Sequence, residues 1–152
     1  MIPIAKPFID NEEIKAVAEV LKSGIIAQGP KVNELEDKFA KFCGVKYAIA
    51  VNSGTAALHT ALNLAGIKPF DEVITTPFTF IATANTILMQ GAKPVFADID
   101  EDTFNIDPKK IKGKLTKKTK AIVTVDLYCQ LCDYDEISEI AKSNKLHVVE
   151  DA

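Results

Sequence analysis

Residues 47–66 read YAIAVNSGTAALHTALNLAG, and their pattern decides the fold. Tyr47 to Val51 is an unbroken apolar run, as strands are when both faces of their sheet are covered. Asn52-Ser53-Gly54 is turn chemistry, and Thr55 to Ala65 then carries small and apolar residues at helical spacing up to Gly66, a common helix stop. The stretch is therefore predicted to be strand, tight turn and helix. The same alternation recurs downstream. Strands are predicted at Glu72 to Thr75, Pro94 to Ala97, Ala121 to Asp126 and Leu146 to Val149, with helices at about Thr79 to Gln90 and at Tyr134 to Asn144. Such alternation specifies an α/β fold with a mostly parallel sheet flanked by helices.

Upstream, Ile14, Val17, Ala18 and Leu21 mark an amphipathic helix over Asn11 to Ser23 that stops at Gly24. Gly29-Pro30 breaks the chain, and Val32, Leu35, Phe39 and Phe42 define a second helix ending near Gly44. With 47% hydrophobic and 26% charged residues, the 152-residue chain has the composition of a globular protein. A formal charge of −3 gives no basic field for a polyanion, and the lysines between Lys109 and Lys120 read as a solvated helix face and loop. Neither nucleic acid nor membrane is expected as a partner. No apolar window approaches the ~20 residues that span a bilayer, and Met1 to Glu13 lacks the basic and apolar regions of a secretory signal. Three cysteines, Cys43, Cys129 and Cys132, make no disulfide framework, so a soluble, cytoplasmic protein is expected.

Parallel sheets bind ligands outside the carboxyl ends of their strands. The segments there are Ser53-Gly54-Thr55, Thr76 to Phe80, Asp126 to Gln130 and Asp151. Ser53-Gly54-Thr55, between a strand and a helix, can aim backbone N–H groups at a phosphate; an ordinary serine cap with a glycine turn reads equally from these residues. Asp151 ends an apolar strand, where a carboxylate pairs well with a cation such as a protonated pyridine nitrogen, while Glu150 is expected to face the other way. Phe78 or Phe80 would lay a ring against a flat cofactor. The Cys129-x-x-Cys132 pair lacks the two further ligands of a zinc site, and no metal is expected.

Taken together, the residues resemble the DegT/StrS family of pyridoxal-phosphate (PLP) sugar aminotransferases, which has the aspartate aminotransferase fold. The resemblance runs through Pro3 to Pro7, Leu21 to Gly24, Gln28 to Val32, Asn52 to Leu58, Asp71 to Ile74, Thr79 to Asn85, Pro94 to Asp100 and Val149 to Ala152. It implies that Gly54, Thr55 and Ala56, with Ser53 beside them, hold the cofactor phosphate. Phe80 would stack on the pyridine ring, Asp151 would pair with the ring nitrogen as a catalytic residue, and Gly29 would lie near the substrate. It also implies transfer of an amino group from a donor such as glutamate to a nucleotide-linked keto-sugar, in a homodimer. Residues 1–30 would be an N-terminal helical segment and 31–152 an incomplete large cofactor domain.

The sequence departs from the family at two places. Asp126-Leu127-Tyr128-Cys129-Gln130 stands where members commonly have His-Leu-Tyr-Gly-Gln, and Asp126 is expected to put a second carboxylate near the cofactor. The Schiff-base lysine belongs to a segment beyond Glu150-Asp151-Ala152, so the 152 residues alone are expected to be inactive. A related sugar dehydratase, with histidine for that lysine, or a non-catalytic binding module, stands as the alternative.

Overall fold

Helix α1 (Asn11–Ser23) starts where Asp10 supplies a reciprocal cap: its carboxylate accepts the Glu12 N–H at 2.8 Å, and the Asp10 N–H donates to Glu13 at 2.8 Å. It ends at Gly24, whose φ of 74° few residues but glycine adopt without strain. Helix α2 (Pro30–Cys43) opens on a proline, whose missing N–H costs nothing in a first turn, and closes on Gly44. Both follow the predicted bounds. The computed structural model describes residues 5–152, so Pro3 and Ile4 of the expected Pro3 to Pro7 match lie outside the described residues. Within them the chain forms two compact units, one ending at Ala50 and one comprising Val51–Ala152.

Helices α1 and α2 belong to the first unit, and neither has a buried residue. The apolar stripes that predicted them, Ile14, Val17 and Leu21 on α1 and Leu35, Phe39 and Phe42 on α2, are exposed.

The expected strand at Tyr47 to Val51 does not form. A run of this kind is a strand only if its N–H and C=O groups join a ladder, and this one pairs with none of the four strands. The Ala50 N–H donates instead to the Glu36 carboxylate at 2.8 Å, while Tyr47 and Ile49 remain exposed.

In the second unit, α3 (Gly54–Leu64) leads to β1 (Glu72–Thr75), α4 (Ile81–Met89) and β2 (Lys93–Phe96). Helix α5 (Pro108–Lys112), β3 (Thr119–Val125), α6 (Tyr134–Asn144) and β4 (His147–Asp151) follow. The strands form one parallel sheet in the order β2-β1-β3-β4. Apart from Tyr47 to Val51, the predicted elements are all present, with bounds shifted by a residue or two.

Alternation along the strands separates two cores. Val73, Ala121 and Val123 face Leu58 and Leu62 of α3 and Ile87 of α4. Ile74 and Ile122 face the other way, onto Ile111 of α5 and Ile137 and Ile140 of α6. Helices thus cover both faces, as the apolar strands required. The chain leaves β1 for α4 on one face and leaves β3 for α6 on the other. The two exits diverge at neighbouring strands, the arrangement at which parallel sheets commonly bind ligands at their carboxyl edge.

Candidate functional site

Ser53 caps α3 from an extended conformation, and its hydroxyl accepts the Ala56 N–H at 3.1 Å. The Ala57 N–H donates to the Ser53 carbonyl. That accounting leaves the N–H groups of Gly54 and Thr55 without an acceptor among the described residues, on an exposed first turn with no acidic side chain. A Cβ built on Gly54 would meet nothing within 4 Å, so the approach to these amides is open. Helix α3 packs over the sheet through Leu58 and Leu62, against Val123 and Val149. It packs beside α4 and against β4 on this face.

Asp151 is the last residue of β4, two places beyond Val149 and on the same face, and it is half-buried. Its Oδ2 accepts the Thr83 hydroxyl at 2.6 Å, and Thr83 is a fully buried residue of α4. Phe80 caps the same helix, with its carbonyl bonded to the Thr83 N–H at 3.2 Å, so the Thr83 side chain ties the start of α4 to Asp151. The two phenylalanines left open by the sequence now separate. Phe78 is paired with Phe104, ring centroids 6.0 Å apart, whereas Phe80 is 76% exposed and free to offer a ring face.

Asp126 follows β3, and its N–H donates to the Asp151 carbonyl at 3.1 Å, while its carboxylate is engaged on the α6 side. There Oδ1 accepts the Cys132 N–H at 2.9 Å and the Tyr134 hydroxyl at 3.0 Å. Burial and the Asp126 carboxylate push the Cys132 thiol up to about 12, and burial above all raises the Tyr134 hydroxyl as well. Glu150 lies on this face too, as predicted, where its charge also acts on Tyr134.

Two lysines are engaged elsewhere, whereas Lys109, Lys110 and Lys114 line a cavity with Pro77 and Phe96 beyond β1 and at the end of β2. Lys93 begins β2, at the amino end of the sheet, and approaches Glu72 at 3.5 Å. Lys112 pairs with Glu136 at 2.6 Å between α5 and α6, on the face opposite Asp151. Gly29 belongs to the first unit, where it caps α2 beside an apolar cavity of about 410 Å³ lined in part by Val20, Ile25, Ile26 and Val32. A Cβ at Gly29 would come within 2.7 Å of Ile25 Cγ2, which is reason enough for a glycine there.

Sequence reasoning missed Thr83, Thr79 and Asn105. Thr83 and Thr79 carry a signal, hydroxyls four residues apart flanking Phe80 at the start of an apolar helix. Asn105 carries none, because its partners, Leu127 and Gln130, lie more than 20 residues away.

Ligand-ready amides, an exposed aromatic and a carboxylate on one face suit a flat cofactor that bears a phosphate at one end and a ring nitrogen at the other. Spore coat polysaccharide biosynthesis protein SpsC of Bacillus subtilis is 54% identical over 151 residues, which are 99% of this chain and 39% of that protein. GDP-perosamine synthase of Caulobacter vibrioides is 47% identical over 152 residues, 99% of this chain and 41% of that one. The chain thus spans about two-fifths of the length of these relatives. The crystal structure of NtdA from Bacillus subtilis with bound cofactor PMP, the amine form of PLP, superposes with a TM-score of 0.91 at 38% identity. The match covers 95% of this chain and 34% of NtdA. Residues 7–152 match the DegT/DnrJ/EryC1/StrS aminotransferase family throughout, and the chain belongs to that family.

Proposed function

We propose that a protein of the relatives' length carrying these residues is a PLP-dependent aminotransferase that moves an amino group from an amino acid such as glutamate to a nucleotide-linked keto-sugar. The observation that supports this reading is the Thr83 hydroxyl bond that ties Asp151 to the start of α4 beside the exposed Phe80, with the unbonded Gly54 and Thr55 amides opening the neighbouring helix α3. The name of GDP-perosamine synthase, for an enzyme that makes a nucleotide-linked amino sugar, supports the substrate class.

When bound, PLP supplies a conjugated ring that takes up the electron pair released at the carbon bearing the amino group. This chain's residues hold and polarise that ring. The Gly54 and Thr55 N–H groups donate to the phosphate at the positive end of α3, and Ser53 keeps the turn in shape by holding the Ala56 amide. Ala56 thus contributes through the turn, because its N–H is already taken. Phe80 would offer a ring face, and the free oxygen of Asp151 would accept a hydrogen bond from the protonated pyridine nitrogen and so keep it protonated. Gly29, in the first unit, would border the sugar.

The covalent lysine, on this reading, belongs to the part of the longer relatives that these 152 residues do not span. The 152 residues alone would then not turn over. A cytoplasmic homodimer, with residues 31–152 as part of a large cofactor domain, completes the proposal.

The test is amination of nucleotide-linked keto-sugars with glutamate as donor, followed by mass spectrometry. The protein of the relatives' length should form the amino sugar, and its Asp151→Asn variant should lose about a hundredfold or more in turnover. Unchanged turnover in that variant would remove Asp151 from the chemistry.

A further inference from the structure

We infer that Thr83 is a positioning residue for Asp151, the last link of a directed chain of hydroxyls that fixes which carboxylate oxygen faces the cofactor. The inference rests on the proposed pairing of Asp151 with a pyridine nitrogen and deepens it.

Thr83 lies three residues into α4 with no exposed surface. A buried hydroxyl in a helix commonly turns back to a carbonyl of the preceding turn, as Thr86 does to the Thr83 carbonyl at 3.0 Å. Thr83 does not. Its Oγ1 reaches 68 residues along the sequence to Asp151 Oδ2, at a short 2.6 Å. Thr79 Oγ1 lies 2.9 Å from the same Thr83 oxygen.

Proton accounting gives the chain a direction. An ionised carboxylate only accepts, so the single Thr83 proton goes to Asp151. Thr83 has then no proton left for Thr79, and Thr79 must be the donor in the bond between them. The order is Thr79 to Thr83 to Asp151, in which each bond polarises the next. The consequence at Asp151 is geometric. Oδ2 is held by α4, and Oδ1 accepts no hydrogen bond among the described residues. With one oxygen pinned, rotation about the Cβ–Cγ bond is restrained, and Oδ1 is the oxygen left for a ring N–H. Phe80 is set by the same helical turn, through the bond from the Thr83 N–H to its carbonyl. One buried threonine therefore registers the ring-stacking residue against the ring-pairing residue.

The experiment uses the holoenzyme of the relatives' length loaded with PMP labelled with ¹⁵N in the pyridine ring, whose resonance reports protonation of that nitrogen. In the unsubstituted protein and in Thr83→Ser, the ring nitrogen should keep its proton to the same pH. In Thr83→Val the pH of deprotonation should fall by about one unit, toward the value for Asp151→Asn. PMP affinity should change less than about threefold, because the phosphate amides are untouched. Thr83→Ala, which relieves any crowding by the valine methyl, should shift the titration in the same direction. A Thr83→Val or Thr83→Ala protein that melts as the parent does and titrates as the parent does would overturn the role of Thr83. If Asp151→Asn also titrates as the parent does, the pairing of Asp151 with the ring fails as well. A shift in Asp151→Asn without one in the Thr83 variants rejects the positioning role alone.

Discussion

Cys129 and Tyr128 have φ of 64° and 54°, so two consecutive residues with side chains occupy the left-handed region just beyond β3. Each costs about 1–2 kcal/mol there, because Cβ crowds the following carbonyl. Family members commonly have glycine where Cys129 stands, and the backbone now explains why. Cys129→Gly should stabilise the protein by about 0.5–1 kcal/mol, since relief of strain exceeds the extra freedom glycine gains in the unfolded chain. A higher urea midpoint with an unchanged slope is the expected measurement. Cys132, three residues on, differs in kind. Its thiol is buried, donates to the Val125 carbonyl at 3.2 Å, and is pushed up to about 12. Iodoacetamide at mildly alkaline pH should therefore label the exposed Cys43 and Cys129 in the folded protein and spare Cys132.

At the scale of elements, that strained turn, Leu127–Cys129, is held by a side chain from elsewhere in the chain. Asn105 is 3% exposed; its Nδ2 donates to the Gln130 carbonyl at 2.9 Å, and its Oδ1 accepts the Leu127 N–H at 3.1 Å. One amide thus clamps both ends of the turn. Asn105→Leu should cost about 2–3 kcal/mol by leaving two backbone groups without partners, and exchange of the Leu127 amide should quicken by more than the global loss predicts. A quickening at that amide no larger than the global loss predicts would show that the clamp is not what holds the turn. The helices themselves were legible. Asp10, Ser53 and Asp133 are caps followed by helical spacing, and such signals act within a single turn. Tyr47 to Val51 was misread because an apolar run states only that a strand is possible, and the ladder partner that would make it one is not adjacent in sequence.

For the whole molecule, the group on the α6 face sets an alkaline limit to stability. Cys132 and Tyr134 both lose protons less readily when folded, chiefly through burial and then through Asp126. A group whose folded pKa is raised stabilises fully below its unfolded value, and that stability is lost as pH rises toward the folded one. For Cys132 the window runs from its ordinary 9.0 to about 12. Unfolding free energy should therefore decline above about pH 9, and Cys132→Ala should flatten the decline while lowering stability at neutral pH. Urea titrations across that range measure both effects. A decline equally steep in the variant would assign the alkaline limit to other groups.

The order of helices and strands from α3 onward, the serine cap with its open glycine, the aromatic before α4 and the carboxylate at the end of β4 were legible in the sequence alone. Each is a local matter of spacing, backbone freedom or polarity, settled within a turn or two of chain. Tertiary structure decided what depends on which segments meet. It left Tyr47 to Val51 without a ladder, set Phe78 against Phe104 and freed Phe80, and engaged the Asp126 carboxylate with Cys132 and Tyr134. It also joined Thr83 to Asp151 across 68 residues. A hydrogen bond or a strand pairing of that span leaves no periodic trace in the chain, because its geometry exists only once the sheet has assembled.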